Sequence, residues 1–164
     1  MKRNTAAGHS VVHALETNDH TQILSDAHRT PLSSSSADRF VERDGMTFAG
    51  AHLILDFWGA KKLDDVELME HVLRRCVFKC GATLLHIHLH HFTPGGGISG
   101  VAVLAESHIS VHTWPERNFA AFDIFMCGGA EPEEAIAVLK RAFSPEIMKI
   151  TENLRGISSH ADIP

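Results

Sequence analysis

The chain lacks a sustained apolar run, an excess of positive charge and a rich supply of cysteine. Since no segment is long and apolar enough to cross a bilayer, we expect no membrane partner. A net charge of -5 and a pI near 6.2 argue against a nucleic-acid partner, which usually needs a basic face. The first twenty residues open with basic side chains but have no apolar core, so we expect no signal peptide.

The three cysteines are too few, and odd in number, for a disulfide framework in a chain without an export signal. Free thiols in a reducing cytosol are the better interpretation, and we expect a cytoplasmic protein. The three are Cys76, Cys80 and Cys127.

What the chain does have is enough apolar sequence for one domain. It is 164 residues long and 44% hydrophobic, which suffices for a real core. Residues 1–44 carry the run SSSSADR and show no sustained period, which predicts a flexible N-terminal extension. Within it VVHALE could form one helical turn. The ordered domain is predicted over residues 45–164.

Strand and helix patterns alternate through that domain. Residues 48–58 and 83–92 alternate apolar and polar side chains, which predicts strands with Leu53 and Leu85 facing inward. A helix should follow Asp64, its predicted N-cap, and a second should begin near Pro132. Further strands are expected over residues 98–106, 108–114 and 119–127, and after Pro145. This order favours an α+β two-layer sandwich, a mainly antiparallel sheet with helices on one face. The uncovered face suggests a dimer.

The histidines of the predicted strand HIHLHH suggest a metal site at first sight. His86, His88 and His90 should project to one side of a strand. Ligands two apart on a strand close a tetrahedron poorly, and zinc signatures such as HExxH or paired CxxC are absent. We therefore predict no metal, and a non-enzymatic histidine-rich metal-binding module remains an alternative.

The segment AESHISVHTWPE, residues 105–116, concentrates reactive side chains. It lacks the glycines of a hydrolase nucleophile elbow. Ser107 follows a carboxylate at a strand end, and His108 and His112 supply bases nearby. In a straight strand Ser107 and His112 point to opposite faces, so we expect a bend that breaks the register at 107, with strain there.

Together, ISGVAVLAESHISVHTWPE and FDIFMCGG resemble the prokaryotic S-adenosylmethionine decarboxylase proenzymes over about residues 48–157. The resemblance implies self-cleavage between Glu106 and Ser107 into fragments 1–106 and 107–164. Ser107 would become a covalent pyruvoyl group that forms a Schiff base with S-adenosylmethionine. That group replaces pyridoxal phosphate as the electron sink, and the product is the aminopropyl donor for spermidine.

The resemblance also assigns roles to single residues. His112 would accept a proton during processing, Ser99 would assist processing, and Cys127 would donate the proton in decarboxylation. Phe92, Trp114 and Glu116 would bind substrate, the aromatic rings through stacking and cation–π attraction. The glycines at 95–97 sit in a loop that looks one residue longer than the family pattern. A pyruvoyl-dependent arginine decarboxylase on the same fold remains an alternative, and a homo-oligomer of cleaved protomers is expected.

Overall fold

The computed structural model describes the backbone of residues 11–16 and, in full, residues 40–92 and 95–158. Nine strands and two helices lie in these ranges. Their bounds are β1 Val11–Glu16, β2 Val41–Arg43, β3 Met46–Phe48, β4 Gly50–Trp58, α1 Val66–Lys79, β5 Leu84–His91, β6 Ile98–Leu104, β7 Ser107–Trp114, β8 Phe119–Cys127, α2 Glu134–Phe143 and β9 Ile147–Arg155.

Seven of the strands form one antiparallel sheet in the order β1-β9-β4-β8-β7-β6-β5. The remaining two, β2 and β3, form a separate hairpin. Both helices pack into the same buried core as one face of the sheet. The predicted α+β sandwich with a mainly antiparallel sheet is therefore confirmed.

Alternation along the strands divides the sheet into two faces. On β4, Leu53, Leu55 and Phe57 are at most 2% exposed, whereas Trp58 is 48% exposed. The buried set faces α1 and α2, because adjacent side chains of a strand point to opposite faces. The other face carries the exposed residues and is here called the helix-free face.

Two details of the predicted pattern are wrong. The N-cap of α1 is Asp65 rather than Asp64, since the Asp65 carboxylate accepts a hydrogen bond from Leu68 N at 2.9 Å. Leu85 is 64% exposed instead of facing inward. A shift of register between Leu84 and His86 places it outside the core, and such a bulge interrupts strict alternation. Ile87 and Leu89, farther along the same strand, do pack against the core.

The predicted flexible extension, residues 1–44, falls mostly outside the described residues and stays a prediction there. Its segment Val11–Glu16 is a strand paired with β9, so the predicted helical turn is wrong. A single turn of helix is marginal in water, while the β9 edge offers a row of backbone partners. Farther along, Val41–Arg43 forms β2 of the hairpin.

One arginine connects that hairpin to the rest of the fold through ion pairs. Arg43 forms ion pairs with Glu133, at 3.2 Å, and with Glu152. The guanidinium also lies 5.4 Å from the centre of the Phe48 ring, which is itself buried. These contacts hold the chain at the start of β4, whose first residue, Gly50, is opposite Cys127.

Candidate active site

A pocket of about 570 Å³ opens at one end of β6 and β7. It contains all three predicted substrate-binding side chains and two of the predicted processing residues. The lining residues are Phe92, Gly95, Gly96, Gly97, Ser99, His112, Thr113, Trp114 and Glu116. The glycine loop noted in the sequence thus forms one wall of this pocket.

Strand pairing brings Ser99 and His112 together. They are direct partners in the antiparallel register of β6 and β7, and their side chains therefore share a face. Ser99 Oγ lies 2.9 Å from His112 Nδ1. His112 belongs to the alternating set that points away from the core, so this pair lies on the helix-free face.

The wall of the pocket depends on a close backbone approach. A Cβ added at Gly97 would lie 1.9 Å from the carbonyl oxygen of Thr113, which only glycine avoids. The Thr113 hydroxyl accepts a hydrogen bond from Ile98 N at 2.7 Å and donates one to Leu63 O at 2.8 Å. Thr113 is 6% exposed, so these two bonds anchor the pocket end of β6 and β7 from within the core.

Aromatic rings continue from the pocket along the helix-free face. The centroids of His112 and Trp114 are 6.3 Å apart, those of Trp114 and Phe119 are 5.3 Å apart, and those of Phe119 and Trp58 are 4.3 Å apart. Trp114 is 41% exposed, so its ring remains available to a ligand. Such rings provide faces for stacking and for a cation.

The predicted cleavage site lies at the opposite end of β6 and β7. Residues Ala105 and Glu106 form the tight turn between these strands, and Ser107 begins β7. Ser107 has φ 141°, a backbone conformation that costs a residue with a side chain about 1–3 kcal/mol. The predicted strain is therefore present. The predicted break in register is wrong, because pairing runs without a shift from Leu104–Ser107 to Ser99–His112.

Three hydrogen bonds hold the turn in place. The carbonyl oxygen of Glu106, which belongs to the predicted scissile peptide, accepts from Cys127 N at 3.0 Å. The Glu106 carboxylate accepts from Thr83 N at 2.8 Å, and Ala105 N donates to Thr83 O at 3.0 Å. The first of these bonds polarises the carbonyl that a nucleophile at Ser107 would attack.

The Ser107 hydroxyl has a histidine beside it, but that histidine is not the predicted one. Ser107 Oγ lies 3.2 Å from Nδ1 of His108. The sequence supplied His108 only as a neighbouring base, and its contact with the hydroxyl could not be inferred, since adjacent strand residues normally face opposite ways.

The three cysteines differ in their surroundings. Cys76 and Cys80 lie under the helices, and burial raises the pKa of both thiols, to about 12 for Cys80. Cys127 is partly exposed at the end of β8, where it follows the alternation of Phe125 onto the helix-free face. Of the three, Cys127 is the thiol that can meet a ligand.

The predicted site residues thus form two half-sites within one chain. Glu106, Ser107 and Cys127 lie at one end of the sheet, and the pocket with Ser99 and His112 lies at the other. Five positions along an extended strand separate Ser107 from His112, which is about 16 Å. Ser99, His112 and Cys127 lie on the helix-free face, but one chain does not bring the two half-sites together.

The histidine row of β5 does not form a metal centre of its own. His86, His88 and His90 are exposed on the helix-free side. In the described ranges, no three side chains of His, Cys, Asp or Glu lie close enough together to hold an ion. Nor does either described helix have the length and apolar character needed to span a membrane.

Comparisons with known proteins identify the family to which the chain is related. A family model described as S-adenosylmethionine decarboxylase matches residues 51–156. The S-adenosylmethionine decarboxylase proenzyme of Thermomicrobium roseum is 40% identical over 113 residues, 68% of this chain and 97% of that protein. The proenzyme of Methanococcus vannielii is 46% identical over 111 residues, 66% of this chain and 90% of that protein.

A solved structure supports the same relationship in three dimensions. The crystal structure of the adenosylmethionine decarboxylase from Aquifex aeolicus aligns with a TM-score of 0.63 and 31% identity, covering 71% of this chain and 98% of that one. The matched region contains every predicted site residue, from Phe92 to Cys127. The fold, the matched region and the sequence identity agree, and the chain belongs to the S-adenosylmethionine decarboxylase family.

Proposed function

We propose that the protein is a self-processing, pyruvoyl-dependent decarboxylase that acts on S-adenosylmethionine. The observation that carries this proposal is the Glu106–Ser107 junction. It combines a strained backbone at Ser107 with a carbonyl held by the amide of Cys127. Family membership and the pocket at the other end of β7 support the same reaction.

The first half of processing is an acyl shift. The Ser107 hydroxyl attacks the carbonyl carbon of Glu106, and the covalent chain itself supplies the proximity. The Cys127 amide stays aimed at the carbonyl oxygen as negative charge develops on it. Collapse breaks the peptide C–N bond and leaves Glu106 joined to the serine oxygen as an ester, with a free amine at residue 107.

The second half is an elimination and belongs to His112. This base removes the α-proton of residue 107, the Cβ–O bond breaks, and Glu106 leaves as a free carboxylate. Water then replaces the nitrogen of the resulting dehydroalanine, ammonia departs, and a pyruvoyl group remains. Ser99, hydrogen-bonded to His112, holds the ring in place for this step. The pyruvoyl group supplies the electron sink for decarboxylation.

The distance between the half-sites calls for a second copy of the chain. We propose a two-fold dimer in which the helix-free faces meet, with the axis perpendicular to the strands, because such an axis pairs each end of one sheet with the opposite end of the other. Such a dimer sets His112 of one protomer against Ser107 of its partner, twice. The same face exposes Trp58, Trp114, Ile54 and Val103 at 38–48%, apolar surface that a partner would cover.

In the completed site the chain's own side chains bind and orient the substrate. Phe92 and Trp114 offer faces for the adenine and the sulfonium cation, and Glu116 offers a carboxylate for the ribose hydroxyls. Cys127, carried to this pocket by the partner, donates the proton that replaces carbon dioxide on the α-carbon.

Intact mass spectrometry and a carbon dioxide assay test the activity. The purified protein should contain fragments 1–106 and 107–164, the smaller with a blocked N-terminus, and should release carbon dioxide from S-adenosylmethionine but not from arginine. A chain that remains whole after prolonged incubation would contradict self-processing. Release of carbon dioxide from arginine alone would show that arginine is the substrate instead of S-adenosylmethionine.

A complementation experiment tests the shared site. Ser107→Ala and His112→Ala chains carrying different tags are expressed singly and together. Alone, neither should process. In the mixed dimer the intact Ser107 of one chain meets the intact His112 of the other, so the His112→Ala chain should be cleaved and about half of the sites restored. Absence of cleavage in the isolated heterodimer would show that Ser107 and His112 act within one chain.

A further inference from the structure

We infer that His108 is the base that takes the proton from the Ser107 hydroxyl in the acyl shift. The inference rests on the proposed self-processing and assigns a group to its first step. His112 then acts only in the second step, so the two histidines of the HxxxH segment serve two successive reactions.

The geometry of the Ser107 hydroxyl carries this assignment. Ser107 Oγ is 3.2 Å from His108 Nδ1, a hydrogen-bond distance. In a regular strand the two side chains would point to opposite faces. The left-handed backbone of Ser107, with φ 141°, departs from that alternation and lets them meet. The strained backbone of Ser107 is thus linked to one specific contact, between the Ser107 hydroxyl and His108.

Packing holds the histidine ring in this position. His108 is the cross-strand partner of Phe125 on β8. The two rings meet edge to face, with centroids 6.1 Å apart and planes at 67°. A ring fixed by an aromatic neighbour loses little freedom when Nδ1 accepts a proton, and such preorganisation favours a general base.

Two other candidate bases, Glu106 and His112, are engaged elsewhere. The Glu106 carboxylate accepts the Thr83 amide at 2.8 Å. In the same protomer His112 lies about 16 Å along the strand, where its Nδ1 meets Ser99 Oγ. His108 is therefore the base within reach of the hydroxyl before a second copy binds.

The step balances without any co-reactant. The hydroxyl proton passes to His108 Nδ1 as the Oγ–C bond to Glu106 forms, and the Cys127 amide stabilises the oxyanion. As the C–N bond breaks, the same proton passes from His108 to the departing nitrogen of residue 107. His108 ends neutral, and ester formation needs the groups of a single protomer only.

Hydroxylamine separates the two steps, because it cleaves esters but not peptide bonds under mild conditions. The test follows freshly synthesised protein by mass spectrometry with and without hydroxylamine, in the variants His108→Ala, His108→Asn and His112→Ala. Asn keeps a hydrogen-bonding side chain beside Ser107 without basicity. His86→Ala, an exposed histidine on the same face of the sheet, is the matched control.

We expect both His108 variants to remain whole and resistant to hydroxylamine, with cleavage slowed about 100-fold or more, the usual contribution of a general base. The His112→Ala chain should remain whole but be cut by hydroxylamine at 106–107, and His86→Ala should process normally. Added imidazole should partly restore cleavage to His108→Ala, which loss of a merely structural contact would not allow.

Cleavage of both His108 variants at the normal rate would overturn the assignment, as would accumulation of the ester in them. Those outcomes leave the proposed function intact, because the unaltered protein would still process. Failure of the unaltered protein to process would instead overturn the proposed function.

Discussion

Ser99 and His112 face each other across β6 and β7 with Ser99 Oγ 2.9 Å from His112 Nδ1, at the end of the sheet remote from Ser107. A hydrogen bond to one ring nitrogen decides which nitrogen carries the proton and how the ring is oriented. In the proposed dimer this pair would therefore reach the partner's Ser107 as a preformed unit.

Ser99→Ala should slow the conversion of ester to pyruvoyl enzyme by about 10-fold or more, since His112 loses the group that orients it. The measurement is the fraction of cleaved chain against time. Ser110→Ala, which removes a long 3.4 Å contact to Asp123 on the neighbouring strand pair, is the control. Equal cleavage rates for the two variants would show that Ser99 has no role in processing.

Substitutions at Ser107 test the strain. Ser107→Ala and Ser107→Gly should both stay as single chains without activity. Glycine adopts positive φ at little cost, so the Gly variant should be more stable than the Ala variant by about 1 kcal/mol. Urea unfolding of the two uncleaved proteins measures this, and a less stable Gly variant would argue against strain at this position.

Cys127→Ala should still cleave, because the amide that donates to Glu106 O belongs to the backbone and survives the substitution. Decarboxylation should fall about 100-fold or more through loss of the proposed proton donor. The two readouts are fragment formation and carbon dioxide release. A fully active variant would show that another group reprotonates the product.

Thiol labelling should distinguish the cysteines. Burial raises the pKa of Cys76 and of Cys80, the latter to about 12, so both stay protonated and unreactive when the pH is raised from 7 to 9. Iodoacetamide should therefore add one label per folded chain, at Cys127, and three in denaturant. Rapid labelling of Cys76 in the folded protein would contradict its buried position.

Thr113→Val should destabilise the fold while preserving its shape. The substitution leaves Ile98 N and Leu63 O without their partner in the core, which costs about 1–3 kcal/mol. A drop in the free energy of unfolding of that size is expected, against little change in Ser110→Ala. Since Thr113 also lines the pocket, KM should rise more than kcat falls.

The fold was largely predictable because its strands and helices follow clear hydrophobic periods. Leu53 and Leu55 face the core as period two requires. Leu85 does not, because a bulge is a local irregularity of pairing that leaves no mark in the pattern. Which of Asp64 and Asp65 is the N-cap of α1 depends on the backbone conformation just before the helix. The residue types alone cannot distinguish two adjacent aspartates.

The division of the site was present in the sequence but easy to overlook. The five-residue step from Ser107 to His112 along an extended strand already implies about 16 Å, yet the closeness of the two residues in the sequence suggests one cluster. The Ser107–His108 contact could not be inferred in the same way. It depends on a single unusual backbone angle, and ordinary alternation predicts the opposite.

The order of strands in the sheet has a consequence for what a cut at 106–107 leaves behind. Fragment 1–106 holds β4, β5 and β6, and fragment 107–164 holds β7, β8 and β9. Because β4 lies between β8 and β9, a strand of the first fragment is paired on both sides with strands of the second. The fragments cannot part without opening the core, so mature protein should unfold as a two-chain complex. Its refolding would then be bimolecular, and a denatured sample should recover poorly on dilution.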